Sequence, residues 1–278
     1  MIWRVRPPAP AHSFLLACVA GASYVRSVLD PDELRRAPYR QPVLNVPGVV
    51  AALSAVMAGI QLVRGVLSET ADIEILALFA FIPARYDGVA EYALPGGFGA
   101  QVWTFFSYAL LHGGWIHLGV NLVWLLAFGT PVARRFGTAR FLVFCAVTAA
   151  AGALAHLLAY PGALVPMIGA SAVVSGAMAA AVRFAFAPGG PLGPRVHGSV
   201  GHQPAVPLIQ ALREPRVLVF ILVWVGLNLL FGVGVSLPGT EGEEVAWQAH
   251  MGGFFAGLFL FSLLDPPAPA THRSNPAG

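Results

Sequence analysis

LVPMIGASAVVSGAMAAAVRF, residues 164–184, is the stretch whose reading decides the fold. It is apolar throughout, rich in small residues, and long enough to cross a bilayer. Gly169-Ala170-Ser171 stands near its start. Ala172, Gly176 and Ala180 follow at four-residue intervals, which places them on one helix face. Faces of small residues let helices approach closely in lipid. A serine in such a run is ordinarily a packing residue, so the meaning of Ser171 depends on what the rest of the chain brings to it.

Composition describes the surroundings. Of 278 residues, 57% are hydrophobic and only 10% are charged, whereas a soluble domain carries about 25% charged residues. Mean hydropathy is +0.72. A single helical bundle in lipid accounts for these values better than a water-soluble core. The net charge is +3, and all 16 basic residues are arginine. They are scattered, with no basic stripe, so no nucleic-acid partner is expected; the expected partner is the lipid bilayer itself. Cys18 and Cys145 both sit in apolar runs. They read as small buried hydrophobes, not as a disulfide framework or a metal cluster.

Six spans are predicted, at 46–67, 115–132, 141–160, 164–184, 217–235 and 246–264. Gln61 and Arg64, near the end of the first, are expected to snorkel to the interface. The apolar run 73–82 is too short to cross and is expected to be interfacial or re-entrant. Residues 46–264 form the six-span domain. Residues 1–45 are expected to be an N-terminal cytoplasmic extension. Its short apolar segment, 14–22, has the outline of a signal peptide and equally suits a surface helix. Residues 265–278 are expected to be a disordered cytoplasmic tail.

Charge placement orients the spans. Arginines precede the first span, fill the turn after the second (Arg134, Arg135, Arg140) and follow the fourth (Arg195, Arg213). The opposite side receives the uncharged turn 160–166 and an acidic loop with Glu241, Glu243 and Glu244. Basic residues favour the cytoplasmic side. Both termini are therefore expected in the cytoplasm, and spans two, four and six start at the outer side. His117 and Asn121 lie one turn apart on one face of span two. Ser171 and His250 sit near the starts of spans four and six. All four are expected in one layer near the outer surface. Polar groups inside lipid are costly and usually functional.

Acyl transfer suits this set. A serine hydroxyl becomes a nucleophile when a base takes its proton, and His250 is the candidate base. A tetrahedral intermediate needs donors for its oxyanion; Asn121, His117 and the Ser171 backbone N–H are the candidates. No carboxylate lies at this depth on spans four or six, so the expected arrangement is a dyad, not a triad. Gly253 and Gly257 on span six complement the small face of span four.

These residues resemble the motifs of the rhomboid family of intramembrane serine proteases. His112, His117 and Asn121, in YALLHGGWIHLGVN, look like that family's second-helix motif. Gly169-Ala170-Ser171 looks like its nucleophile motif. Ala249-His250 followed by Gly253 and Gly257 looks like its sixth-helix base and packing glycines, and Arg134-Arg135-Phe136-Gly137 like the turn after its second helix. Two positions depart from the common pattern. Ala172 stands where glycine is usual, and Ser175 stands where many members carry a tyrosine that packs on the histidine. Trp247 or Phe254 is the aromatic expected in its place.

The resemblance implies an all-α, six-transmembrane-helix rhomboid-like bundle that cleaves single-span membrane proteins near the outer interface. Ser171 would be the nucleophile and His250 the general base, with His117 and Asn121 supporting the oxyanion. His112 and Gly169 would be structural. Span five and its following loop would gate substrate access. No cofactor or metal is implied. The location implied is a bacterial inner membrane. Two other readings stay open: a catalytically inactive relative that binds membrane proteins, and a metal or haem site built from membrane histidines, for which no tight ligand cluster is evident. His156 has no partner at its depth in the sequence reading and is expected to be structural.

Overall fold

The computed structural model describes residues 46–88, 94–187, 190, 205–232 and 245–266. The extension 1–45, the acidic loop with Glu241, Glu243 and Glu244, and all but the first two residues of 265–278 lie outside them. The regular structure among the described residues is helical, apart from one isolated bridge between Phe81 and Met167. We number the main helices α1 (Gly48–Arg64), α2 (Glu69–Phe79), α3 (Gly97–Ser107), α4 (Trp115–Phe136), α5 (Thr138–Ala159), α6 (Ser171–Ala181), α7 (Pro215–Gly232) and α8 (Trp247–Leu264).

Helices α4, α5 and α8 are long and apolar enough to cross a membrane. At 1.5 Å per residue, α4 and α5 each reach about 33 Å, against about 30 Å of hydrocarbon. α1, α6 and α7 are apolar but shorter. Outward-facing side chains such as Leu158 (74% exposed) and Leu263 (81% exposed) are apolar, as contact with lipid tails demands. The chain is an all-α integral membrane protein.

The stretch 164–184 is not one continuous helix. α6 begins only at Ser171, and 164–170 is irregular. Pro166 has no N–H to give a helix. Gly169 adopts φ +117°, which glycine alone adopts readily. The backbone groups so freed are satisfied elsewhere. Met167 donates to the Phe81 carbonyl (2.8 Å) and accepts from Phe81 N–H (3.1 Å), while Gly169 N–H donates to the Tyr108 carbonyl (3.0 Å). Non-helical backbone at membrane depth is tolerated where protein surrounds it. α6 is surrounded: every residue from Ala172 to Ala181 is buried.

The packing around α6 is backbone on backbone. A Cβ on Gly253 would strike the Ala172 carbonyl, and one on Gly257 would strike that of Gly176. From the α5 side, a Cβ on Gly152 would lie 2.5 Å from that of Ala172. The methyl of Ala172, where the family usually has glycine, is thus accommodated by a glycine on the facing helix.

The carboxyl ends of α4, α6 and α8 are tied at one face. Arg135 makes a bidentate pair with Asp265 (2.6 and 2.9 Å). Arg183 donates to Ser262 Oγ (2.9 Å). Both guanidinium groups lie over the Phe261 ring, at 5.5 and 4.9 Å. The amino ends of the same three helices, with His117, Ser171 and His250, therefore share the opposite face.

The connection before α4 is itself folded. α2 and α3 are eleven residues each, too short to cross. Buried Arg85 donates to the carbonyls of Pro95 (2.7 Å) and Ala77. Arg64 does not snorkel as the sequence suggested. It pairs with Asp72 in the first turn of α2 (2.6 and 2.9 Å) and donates to the His112 carbonyl (2.7 Å). Gln61 is also buried. For Arg64, tertiary pairing outweighed solvation at the interface.

The contact geometry predicts an asymmetry among glycines. Gly257→Ala drives a methyl into backbone and should cost about 1–3 kcal/mol. Gly226→Ala on α7 has open space and should be neutral or stabilising by up to about 1 kcal/mol. Thermal unfolding of both variants in detergent micelles checks this; equal effects would remove the close α6–α8 contact as a determinant.

Candidate active site

Ser171 is the first residue of α6 and is half-buried. Its neighbour Ala170 supplies no side-chain cap. The first N–H groups of a helix have no intrahelical acceptor and carry partial positive charge. Here one of them is used: Ala170 N–H donates to His112 Nε2 at 3.4 Å. One turn on, Ser175 Oγ donates to the Ser171 carbonyl (2.7 Å).

His117 and Asn121 occupy the start of α4. The Cβ position of Gly169 is 2.7 Å from His117 Nε2 and 3.9 Å from Asn121 Nδ2. Both side chains therefore stand against the turn that leads into Ser171. Any side chain at 169 would collide with His117, so this position needs glycine for space as well as for its positive φ. Asn121 is buried, and its Nδ2 donates to the His117 carbonyl (3.0 Å). His117 Nδ1 accepts from Gly113 N–H (3.4 Å). In a neutral ring this leaves the proton on Nε2, the nitrogen that faces Gly169.

His112 precedes α4 and is 1% exposed. Its carbonyl is held by Arg64 and its Nε2 accepts from Ala170. Its ring meets that of His117 edge-on at 5.2 Å. Burial first, then the neighbouring His117 and Arg64, push the imidazole down to about 4. A neutral ring is required for Nε2 to accept the Ala170 hydrogen bond.

His250 lies in the first turn of α8. Its Nδ1 is 2.6 Å from Oδ1 of Asn228 on α7. The sequence reading passed over Asn228, although a lone amide in an apolar span is itself a signal. The two aromatics expected beside His250 both pack against α7. Phe254 stacks on Trp224 at 4.3 Å and 18°, and Trp247 lies against Gly232. The residues next to Ser171 and His250, Ala172 and Ala249, both reach the space beside Gly152. Gly253 and Gly257 follow along the same contact. His156 packs against the rings of Phe81 and Tyr160. Among the described residues, no three His, Cys, Asp or Glu side chains gather as metal ligands.

The arrangement is that of a polytopic membrane protein with polar side chains buried among its helices. Residues 99–266 match the Rhomboid domain, and the chain belongs to that family. It is 43% identical over 49 residues to the Rhomboid protease GlpG of Pectobacterium atrosepticum. The aligned stretch covers 18% of this chain and 18% of that protein. Family and relative together support enzymatic potential.

The buried His112 predicts a pH dependence of stability. An unfolded histidine takes up a proton near 6.5, the folded one only near about 4. Between these values the unfolded state binds more protons, so stability rises with pH. It should fall as pH drops from about 6.5 towards about 4, by an amount on the order of 2–3 kcal/mol. Unfolding midpoints across this range should show a smaller pH slope for His112→Gln than for wild type. Identical slopes would mean that His112 is protonated in the fold.

Proposed function

We propose that the protein is an intramembrane serine endopeptidase that cleaves single-span membrane proteins near the outer interface. In this reading, six helices cross the membrane, α1, α4, α5, α6, α7 and α8, with both termini in the cytoplasm of a bacterial cell. The observation that carries it is the approach of His117 Nε2 and Asn121 Nδ2 to the Gly169 turn, at 2.7 and 3.9 Å from its Cβ position. It sets two donors beside the backbone that presents Ser171.

The chemistry follows the roles. Ser171 Oγ attacks the scissile carbonyl carbon while His250 takes the hydroxyl proton. The carbonyl oxygen becomes an oxyanion facing the Ser171 N–H, the Asn121 amide and His117 Nε2–H. Collapse expels the amine, which leaves with the proton from His250. Water then attacks the acyl-enzyme with His250 again as base, releasing the new carboxylate and restoring Ser171. His112, Gly169, Gly253 and Gly257 hold the frame. The half-buried position of Ser171, at the end of a buried helix that begins below an irregular segment, suits a bond that must meet water.

Two measurements test this reading. A serine-directed fluorophosphonate should label wild type and should not label Ser171→Ala; equal labelling of both removes Ser171 as the nucleophile. In liposomes carrying a panel of single-span proteins, wild type should cleave at least one. Ser171→Ala and His250→Ala should each lose at least about 100-fold. Cleavage of none by wild type favours a binding protein of the same fold.

A further inference from the structure

A neutral imidazole has two tautomers, and only the one with a bare nitrogen towards the serine is a base for it. On α6, the Ser175 hydroxyl gives its proton to the Ser171 carbonyl. A contact that selects between the tautomers comes from α7. His250 Nδ1 lies 2.6 Å from Asn228 Oδ1, and an amide oxygen accepts but cannot donate. The other end of the amide is pinned as well. Asn228 Nδ2 donates to the Trp224 carbonyl at 2.8 Å. Flipping the amide would set two acceptors against each other at Trp224, the amide oxygen and the carbonyl, so the Trp224 carbonyl fixes which end of the amide faces His250. Asn228 is 6% exposed, so water does not supply an alternative partner cheaply.

We propose that Asn228 is the positioning residue for the general base: it holds His250 as the Nδ1–H tautomer, leaving Nε2 unprotonated to accept the serine proton. This rests on the protease reading and deepens it. Asn228 takes the place that a carboxylate holds in a Ser–His–Asp triad, but carries no charge. It acts through His250 and touches no substrate. Its support is local. Trp224 provides the carbonyl that orients Asn228 and stacks on Phe254, one turn beyond His250. The same pair of helices thus fixes the amide, the ring and the distance between them.

The test uses the full chain purified in micelles. Ring ¹⁵N spectra with labelled histidine, the His250 signal identified by its loss in His250→Ala, should show Nδ1 protonated in wild type. In Asn228→Leu that signal should move to a mixture of tautomers. With a cleavable single-span substrate, Asn228→Leu should lower kcat about 10- to 100-fold, a fraction of what a general base contributes. KM should stay within about twofold, since ground-state binding is untouched. Asn228→Asp keeps the acceptor towards His250 but loses the N–H to the Trp224 carbonyl, and should recover part of kcat relative to Asn228→Leu. Asn228→Ala reports the same quantities if the leucine variant does not fold. Retention of the pure Nδ1–H tautomer in a folded Asn228→Leu or Asn228→Ala protein overturns the proposal, as does an unchanged kcat. The spectra need no proteolysis, so a wild type that cleaves nothing would sink the protease reading while leaving the tautomer assignment separately decided.

Discussion

The contact between α6 and α8 is the constraint from which the rest follows. Two helices meet so closely that Gly253 and Gly257 have no room for a Cβ against the carbonyls of Ala172 and Gly176. In lipid there is little hydrophobic gain in bringing two apolar helices together, so packing at this distance supplies the attraction. It also sets geometry. With the two backbones in register along this line, the residue before Ala172 and the residues before Gly253 are held at the same end of the bundle. The ties at the other end, Arg135 with Asp265 and Arg183 with Ser262, stop the helices from sliding. A one-residue slip would put side chains where only glycine fits.

The second constraint is the break before Ser171. A continuous helix through 164–184 would bury the serine's N–H in an intrahelical bond. Starting the helix at Ser171 leaves that group available, at the cost of seven irregular residues that must find partners inside the protein. They find them on segments distant in sequence. Phe81 pairs with Met167, Tyr108 accepts from Gly169, and His112 accepts from Ala170. His112 is in turn held by Arg64, which is anchored to Asp72. The long connection between α1 and α4 is therefore the scaffold of the turn that presents the serine, and Arg64 joins the end of the first helix to it.

Much of this was legible in the sequence. Hydropathy identified a membrane protein, and the motifs around His117, Ser171 and His250 pointed to the family. What was not legible has physical reasons. Hydropathy sees 164–184 as uniform because it carries no information on backbone dihedrals; Pro166 and Gly169 were the only hints that the helix starts late. Arg64 looked like an interfacial residue because its partners, Asp72 and the His112 carbonyl, are set by tertiary folding. Ala172 looked like a departure from pattern until Gly152 was seen opposite it. Asn228 was hidden because one amide in an apolar run has no periodicity, and its partner is on another helix.

The chemistry of that amide is suited to where it lies. A carboxylate beside His250 would orient the ring equally well, but an isolated charge within the bilayer is expensive and demands further partners to offset its desolvation. An amide accepts one hydrogen bond from the ring and returns its own N–H to the Trp224 carbonyl, so both polar ends are satisfied with no net charge. The position has a consequence for the fold. A tyrosine at 175 would steady the histidine from α6, the central and fully enclosed helix. Asn228 steadies it from α7, whose Leu218, Val219, Leu222 and Val223 face outward and whose hold on α8 runs through Trp224 on Phe254. The geometry of the base in this chain is thus tied to the docking of a peripheral helix, so any displacement of α7 from α8 also releases the ring of His250.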